Sequence, residues 1–148
     1  MSLCKLQYTI FYISFSLLHT AILEKDVPIA MELIKLAPHP CLLNIKNDEC
    51  QTALFLAAFI RIPQLLRALI ITGADPTLRN RQGDTPLHYA CTIGDILCVA
   101  ALTRQITREE YKLFGYRGKE SVRRIPQNLE LKNYNGKLNI MRFFKIIS

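Results

Sequence analysis

The chain has 148 residues, half of them hydrophobic and 21% charged, with no Trp, six Gly and seven Pro. That length suits one domain, and that composition excludes a disordered tail, a collagen-like fibre and a multidomain enzyme. The net charge of +7 lies wholly from Arg104 onward, where eleven bases face four acids after eight of each up to Thr103, so a neutral body carries a basic tail, unlike the evenly basic surface of a nucleic-acid binder.

Tyr8 to Leu18 is an apolar run of eleven residues. It has the look of a signal-peptide core but is too short to span a bilayer, which takes about 20 residues. Because it flows into a repeated motif that cleavage near Ala21 would destroy, it is read as part of the folded chain. An apolar cap or a first helix over Tyr8–Phe15 is expected there.

Three segments then share a register. Asp84-Thr85-Pro86-Leu87-His88-Tyr89-Ala90 stands 33 residues after Gln51-Thr52-Ala53-Leu54-Phe55-Leu56-Ala57. Thr52 in turn stands 36 residues after Ser16, which opens Ser16-Leu17-Leu18-His19-Thr20-Ala21. Each of the later two follows an aliphatic-base-Asn lead-in, Ile45-Lys46-Asn47 and Leu78-Arg79-Asn80. The lead-in returns at Leu131-Lys132-Asn133-Tyr134-Asn135-Gly136, 53 residues after Leu78. A period of 33 with T-P-L-H-x-A is the ankyrin signature, and it predicts an all-α ankyrin-repeat solenoid with β-hairpin fingers.

The local chemistry agrees. Thr85 suits a helix N-cap and Pro86 the first helical position, where its missing N–H is no loss. Leu87, Ala90 and Cys91 fall on one face. Gly94-Asp95 stops that helix and caps a second carrying Ile96, Val99 and Leu102 inward. In repeat two Pro63 opens the second helix, Leu65, Leu66 and Leu69 point inward, and Thr72-Gly73 ends it. Asp26, Pro28, Ile29, Ala30 and Leu33 are expected to do the same work in repeat one. His19, Thr52, Thr85, Pro86, Leu87, His88, Gly83 and Gly94 are read as repeat-motif residues, the two His bonding within a helical turn. The expected layout is an apolar segment 1–15, repeats at about 16–48, 49–81 and 82–133 with an insertion at 103–127, and a diverged tail 137–148.

A first linker three residues longer (Ala37–Leu43), a third repeat opening Thr85-Pro86-Leu87-His88-Tyr89-Ala90-Cys91, and an insertion leading to Asn133-Tyr134-Asn135-Gly136 together resemble the NF-kappaB inhibitor family, the IkappaB proteins and insect Cactus. The likeness covers residues 16–136, about three to four repeats. It implies a protein that binds a Rel/NF-kappaB dimer, masks its basic nuclear-localisation segment and retains it in the cytoplasm, nuclear shuttling being compatible with that role. The positions matching the family's early-repeat contact face are Glu24, Asp26, Asp48 and Glu49, whose carboxylates suit a basic peptide. The next fingertip, Arg79-Asn80-Arg81, suits it less. No Asp-Ser-Gly degradation signal precedes repeat one, and after Gly136 the expected Thr-x-Leu-His is replaced by Lys137-Leu138-Asn139-Ile140-Met141. With barely three repeats, about the minimum for a stable stack, and apolar ends where capping repeats are polar, marginal stability or self-association is expected unless Leu138, Ile140, Met141 and Phe143 form a partial cap.

In the insertion, Thr107 and Glu110 have the spacing of a capping box, and the loose cluster Arg117, Lys119, Arg123 and Arg124 is read as a solvated loop. The five Cys (Cys4, Cys41, Cys50, Cys91, Cys98) form no CxxC pair and are read as small buried hydrophobes in a reducing cytosol. No HExxH, P-loop, GxSxG or dinucleotide glycine pattern is present, and only His39 is left outside the repeat motif, so no catalytic residue, cofactor, metal or direct nucleic-acid contact is expected. The competing readings are an ankyrin adaptor for another protein, a tethered or secreted form through residues 8–23, and a non-functional fragment.

Overall fold

The computed structural model describes residues 3–114 and 132–136 of the chain. Its helices are α1 (Leu3–Leu23), α2 (Val27–Leu36), α3 (Ala53–Ile60), α4 (Pro63–Thr72), α5 (Pro86–Ile93), α6 (Ile96–Thr103) and α7 (Arg108–Leu113), with a 3-10 turn at Pro40–Asn44. They pair as α1/α2, α3/α4 and α5/α6, and each pair stacks on the next. This is the ankyrin solenoid that the 33-residue period predicts. The basic cluster Arg117–Arg124 and the capping residues Leu138–Phe143 lie outside the described residues.

Each pair turns on the same device. Lys25, Arg61 and Gly94 sit at φ 61°, 64° and 73°. The residues around them close matching bonds, Asp26 N to Ala21 O at 2.9 Å, Ile62 N to Ala57 O at 3.0 Å and Asp95 N to Ala90 O at 3.0 Å. These satisfy helix-terminal carbonyls that have no partner inside the helix. The next residue caps the second helix. Asp26 accepts from Ile29 N and Asp95 from Cys98 N, whereas Ile62 has no side-chain acceptor to offer.

Thr52 and Thr85 are the N-caps of α3 and α5, accepting from the N–H of Phe55 and His88, and Pro86 takes the first helical position. His88 completes the box by accepting Thr85 N through Nδ1 at 3.2 Å. His19 is buried at the matching place in α1.

The core is the seam between layers. Leu18, Ala21 and Ile22 of α1, Leu54, Ala57 and Ala58 of α3, and Leu87, Ala90 and Cys91 of α5 repeat one buried triad at i, i+3, i+4. Ala in the middle of all three lets the helices approach closely. Leu65, Leu66 and Leu69 are fully buried on α4, as are Ala30 and Ile34 on α2 and Leu102 on α6.

Two inward expectations are corrected. Ile29 is 54% exposed although its repeat-two counterpart Leu65 is fully buried, because no described element covers that side of α2. Ile96 is 55% exposed, its place on α6 being the first turn, where its counterpart Pro63 is only half-buried. The uniform reading of the cysteines also fails: Cys91 and Cys98 are buried, but Cys41 is exposed and Cys50 half-buried. Finally, α1 continues through residues 15 and 16 without a break.

Candidate protein-binding site

The fingers are built by their asparagines. Asn47 Oδ1 accepts from Glu49 N (3.0 Å) and Gln51 N (2.9 Å), and Asn80 Oδ1 repeats this with Gln82 N (3.0 Å) and Asp84 N (2.9 Å). Asn133 Oδ1 accepts from Asn135 N in the third finger. A short side chain that bonds the backbone two and four residues on sharpens a turn without help from the rest of the fold. Gly83 and Gly136 turn the tips at φ 82° and 70°, and Cys50 does so at 58°.

The base before each Asn stitches one finger to the next. Lys46 Nζ donates to Arg79 O at 2.8 Å, and Arg79 Nη1 donates to Lys132 O at 2.7 Å and Gly83 O at 2.8 Å. Arg79 also lies 5.7 Å from the centre of the Tyr134 ring. Asn133 Nδ2 ties the third finger back to Asp84 Oδ1 at 2.8 Å. In the sequence these bases stand out only as the recurring base of the lead-in, at spacings of 33 and 53 residues, with nothing to say what they bond.

Asp48 and Glu49 stand exposed at the first tip, and neither carboxylate has an ion pair among the described residues. Arg81 of the second tip reaches across to the Asp48 carbonyl at 2.5 Å, so a cation borders this acidic pair. Glu24 and Asp26 are elsewhere. They lie on the turn edge in the row of Arg61 and Asp95, separated from the fingers by the length of an inner helix, about 12 Å for the eight residues of α3. Glu24 is exposed, while Asp26 is occupied as the α2 cap. The four acids therefore form two separate pairs.

Between these edges the inner helices expose apolar side chains. Tyr89 packs against Phe55 and Phe59 with ring centres 5.6 and 5.5 Å apart, and Phe59, Leu23 and Ile93 remain partly open. On the turn edge Arg61 Nε donates to Asp95 Oδ2 at 3.0 Å, bonding repeat two to repeat three. Burial works against the charge of Asp95, but hydrogen bonds from Cys98 and Arg61 outweigh it and hold the carboxyl below its usual range.

The insertion is anchored by a residue the sequence reading passed over. Arg67, alone among the apolar residues of α4, is buried with every guanidinium N–H bonded. Nε and Nη2 meet Glu110 at 2.9 and 2.8 Å, and the remaining donors take the carbonyls of Ala101, Arg104 and Gln105. These carbonyls lie at and just past the C-terminus of α6, where a cation is favoured. Glu110 is brought there by the predicted capping box with Thr107, which forms. The Arg67 hydrogen bonds hold its carboxyl down at about 2. A charged residue within Leu65–Ile71 was the available clue, since a base in such a run must be paired.

Burial pushes the Cys91 thiol up to about 11, and burial reinforced by the Asp95 carboxylate pushes Cys98 up to about 12, so both are protonated at neutral pH. Among the described residues no group of three His, Cys, Asp or Glu could hold a metal, and no helix is long and apolar enough to cross a membrane.

A family model described as ankyrin repeats in three copies matches residues 18–112. The chain is 41% identical over 129 residues to the NF-kappa-B inhibitor cactus of Drosophila melanogaster, covering 80% of this chain and 26% of that protein. It is 35% identical over 122 residues to NF-kappa-B inhibitor alpha of Mus musculus, covering 82% and 34%. The chain thus spans about a quarter to a third of these relatives. The ankyrin domain of Bcl-3, described as a unique member of the IkappaB protein family, superposes with a TM-score of 0.62 at 27% identity, covering 83% of this chain and 47% of that one.

Proposed function

Because the chain belongs to the ankyrin-repeat family and is IkappaB-like, we propose that it binds a Rel/NF-kappaB protein, covers its basic nuclear-localisation segment and retains it in the cytoplasm. The observation that carries this reading is similarity to proteins named NF-kappa-B inhibitors across four fifths of the chain. The surface supports it. Asp48 and Glu49 stand free at a fingertip fixed by Asn47, so their carboxylates meet a basic segment without first breaking an internal pair. Glu24 supplies a second contact on the turn edge, and Asp26 adds charge there while capping α2.

The test is calorimetric binding of the full chain to a Rel homology dimer with and without its basic segment. Binding that vanishes without the segment supports the proposal, and charge reversal through Asp48→Lys with Glu49→Lys is expected to weaken it roughly tenfold or more. Unchanged affinity in the double variant removes the fingertip from the site. A folded chain that binds neither dimer is an ankyrin adaptor for a different protein.

A further inference from the structure

The finger edge is polarised. Its first tip carries the carboxylates of Asp48 and Glu49, and its second carries Arg81, exposed between Asn80 and Gln82. The other two bases of these fingers, Lys46 and Arg79, are taken up by backbone carbonyls of the next finger along. Arg81 is used differently. Its Nη2 donates to the Asp48 carbonyl at 2.5 Å, and the rest of its N–H donors have no partner among the described residues. Nor does it neutralise the acids it borders, since neither carboxylate forms an ion pair with it. The bond therefore holds a guanidinium fork beside two carboxylates without cancelling either charge. A fork fixed before binding loses little freedom when it takes a carboxylate by two parallel bonds.

We propose that Arg81 makes this edge selective for the order of charges on its partner. The inference rests on the reading of Asp48 and Glu49 as the contact for a basic segment. It adds that the favoured segment carries an acid two residues from its bases, and that a segment of bases alone is disfavoured. The spacing follows from the geometry. Charges that form no ion pair stand more than about 4 Å apart, and stacking sets neighbouring tips about 10 Å apart. Alternate side chains of an extended segment face the same way about 7 Å apart, between those limits. One such segment gives a base to Asp48 or Glu49 and an acid to the Arg81 fork. A segment with a base in the second place meets Arg81 as a like charge and is repelled.

The test is calorimetric binding of synthetic peptides to the full chain at low salt. Each peptide carries a run of Lys and Arg with Glu two residues beyond it, on the N-terminal or the C-terminal side, and has a twin with Gln in place of Glu. In one of the two placements the Glu peptide is expected to bind the parent roughly threefold tighter than its twin. Arg81→Ala is expected to reverse that order, tightening the Gln peptide and weakening the Glu peptide, each roughly twofold to fivefold. A tip merely loosened by loss of the bond to Asp48 weakens both peptides together, and that result overturns the proposal. So do twins that bind the parent equally in both placements, and a preference for Glu that survives Arg81→Ala. Asp48→Lys with Glu49→Lys separates this failure from that of the reading beneath it. Gln peptides that bind the parent and lose affinity in the double variant keep the fingertip contact even where Glu brings no gain. Gln peptides that bind both proteins alike, or neither, remove the contact and the charge-order inference with it.

Discussion

Cys50 turns the first fingertip at φ 58°, in the place that Gly83 and Gly136 hold in the other two. An L side chain is strained in that left-handed region, so Cys50→Gly is expected to raise stability by about 0.5–1 kcal/mol in denaturant unfolding, even after the greater freedom of glycine in the unfolded chain is counted. The reverse change at the second tip is worse than strain alone. A Cβ on Gly83 runs into the Tyr134 ring, so Gly83→Ala is expected to cost roughly 2 kcal/mol and to loosen the third finger. Unfolding both variants beside the parent measures the pair.

At the scale of an element, α7 illustrates how six residues become a helix. Local propensity is insufficient for so short a segment, and its capping box is complemented by the Arg67–Glu110 pair and the α6 carbonyls. Arg67→Met strips that support and leaves the partly buried Glu110 carboxylate only the exposed Arg104 guanidinium, 3.6 Å away, at a cost of roughly 2 kcal/mol. The pair also predicts a pH dependence. Glu110 is held at about 2 in the folded chain against an ordinary 4.5, so its stabilisation is complete above about pH 4.5 and is lost as the pH falls toward 2. Denaturation midpoints followed across that range are expected to drop in the parent and to drop less in Arg67→Met. An equal acid slope in both proteins would show that the pair contributes nothing.

Over the whole molecule, a residue's worth depends on which layer covers it. Ile29 and Leu65 hold equivalent places in α2 and α4, yet one is 54% exposed and the other fully buried. Leu65→Ala is therefore expected to cost about 3 kcal/mol and Ile29→Ala under about 1 kcal/mol. The finger edge is likewise collective. Arg81 leans from its own tip onto the carbonyl of Asp48 and weakens the field of the acids beside it. Arg81→Ala is expected to tighten binding of a basic segment roughly twofold to fivefold at low salt, the gain fading as salt screens the acids.

The sequence by itself determined what is local, the Thr caps, Pro at the helix starts, the Gly stops and the Thr107–Glu110 box, and the 33-residue period showed as the recurrence of such local signals. Each depends on residues within about four positions of one another, so the pattern is legible without the fold. The buried stripe Leu65, Leu66 and Leu69 was legible for the same reason, because a helix face is set by period alone. Ile29 was misread because no described layer covers its side of α2, and Ile96 because a first-turn position stays open even where a layer follows, as half-buried Pro63 does. Arg67, the Lys46 and Arg79 stitches, and the separation of Glu24 and Asp26 from Asp48 and Glu49 had to await the tertiary structure. Those relations join residues 33 to 53 positions apart or lie at opposite ends of a helix, and only the stacking of one repeat on the next decides which of them meet.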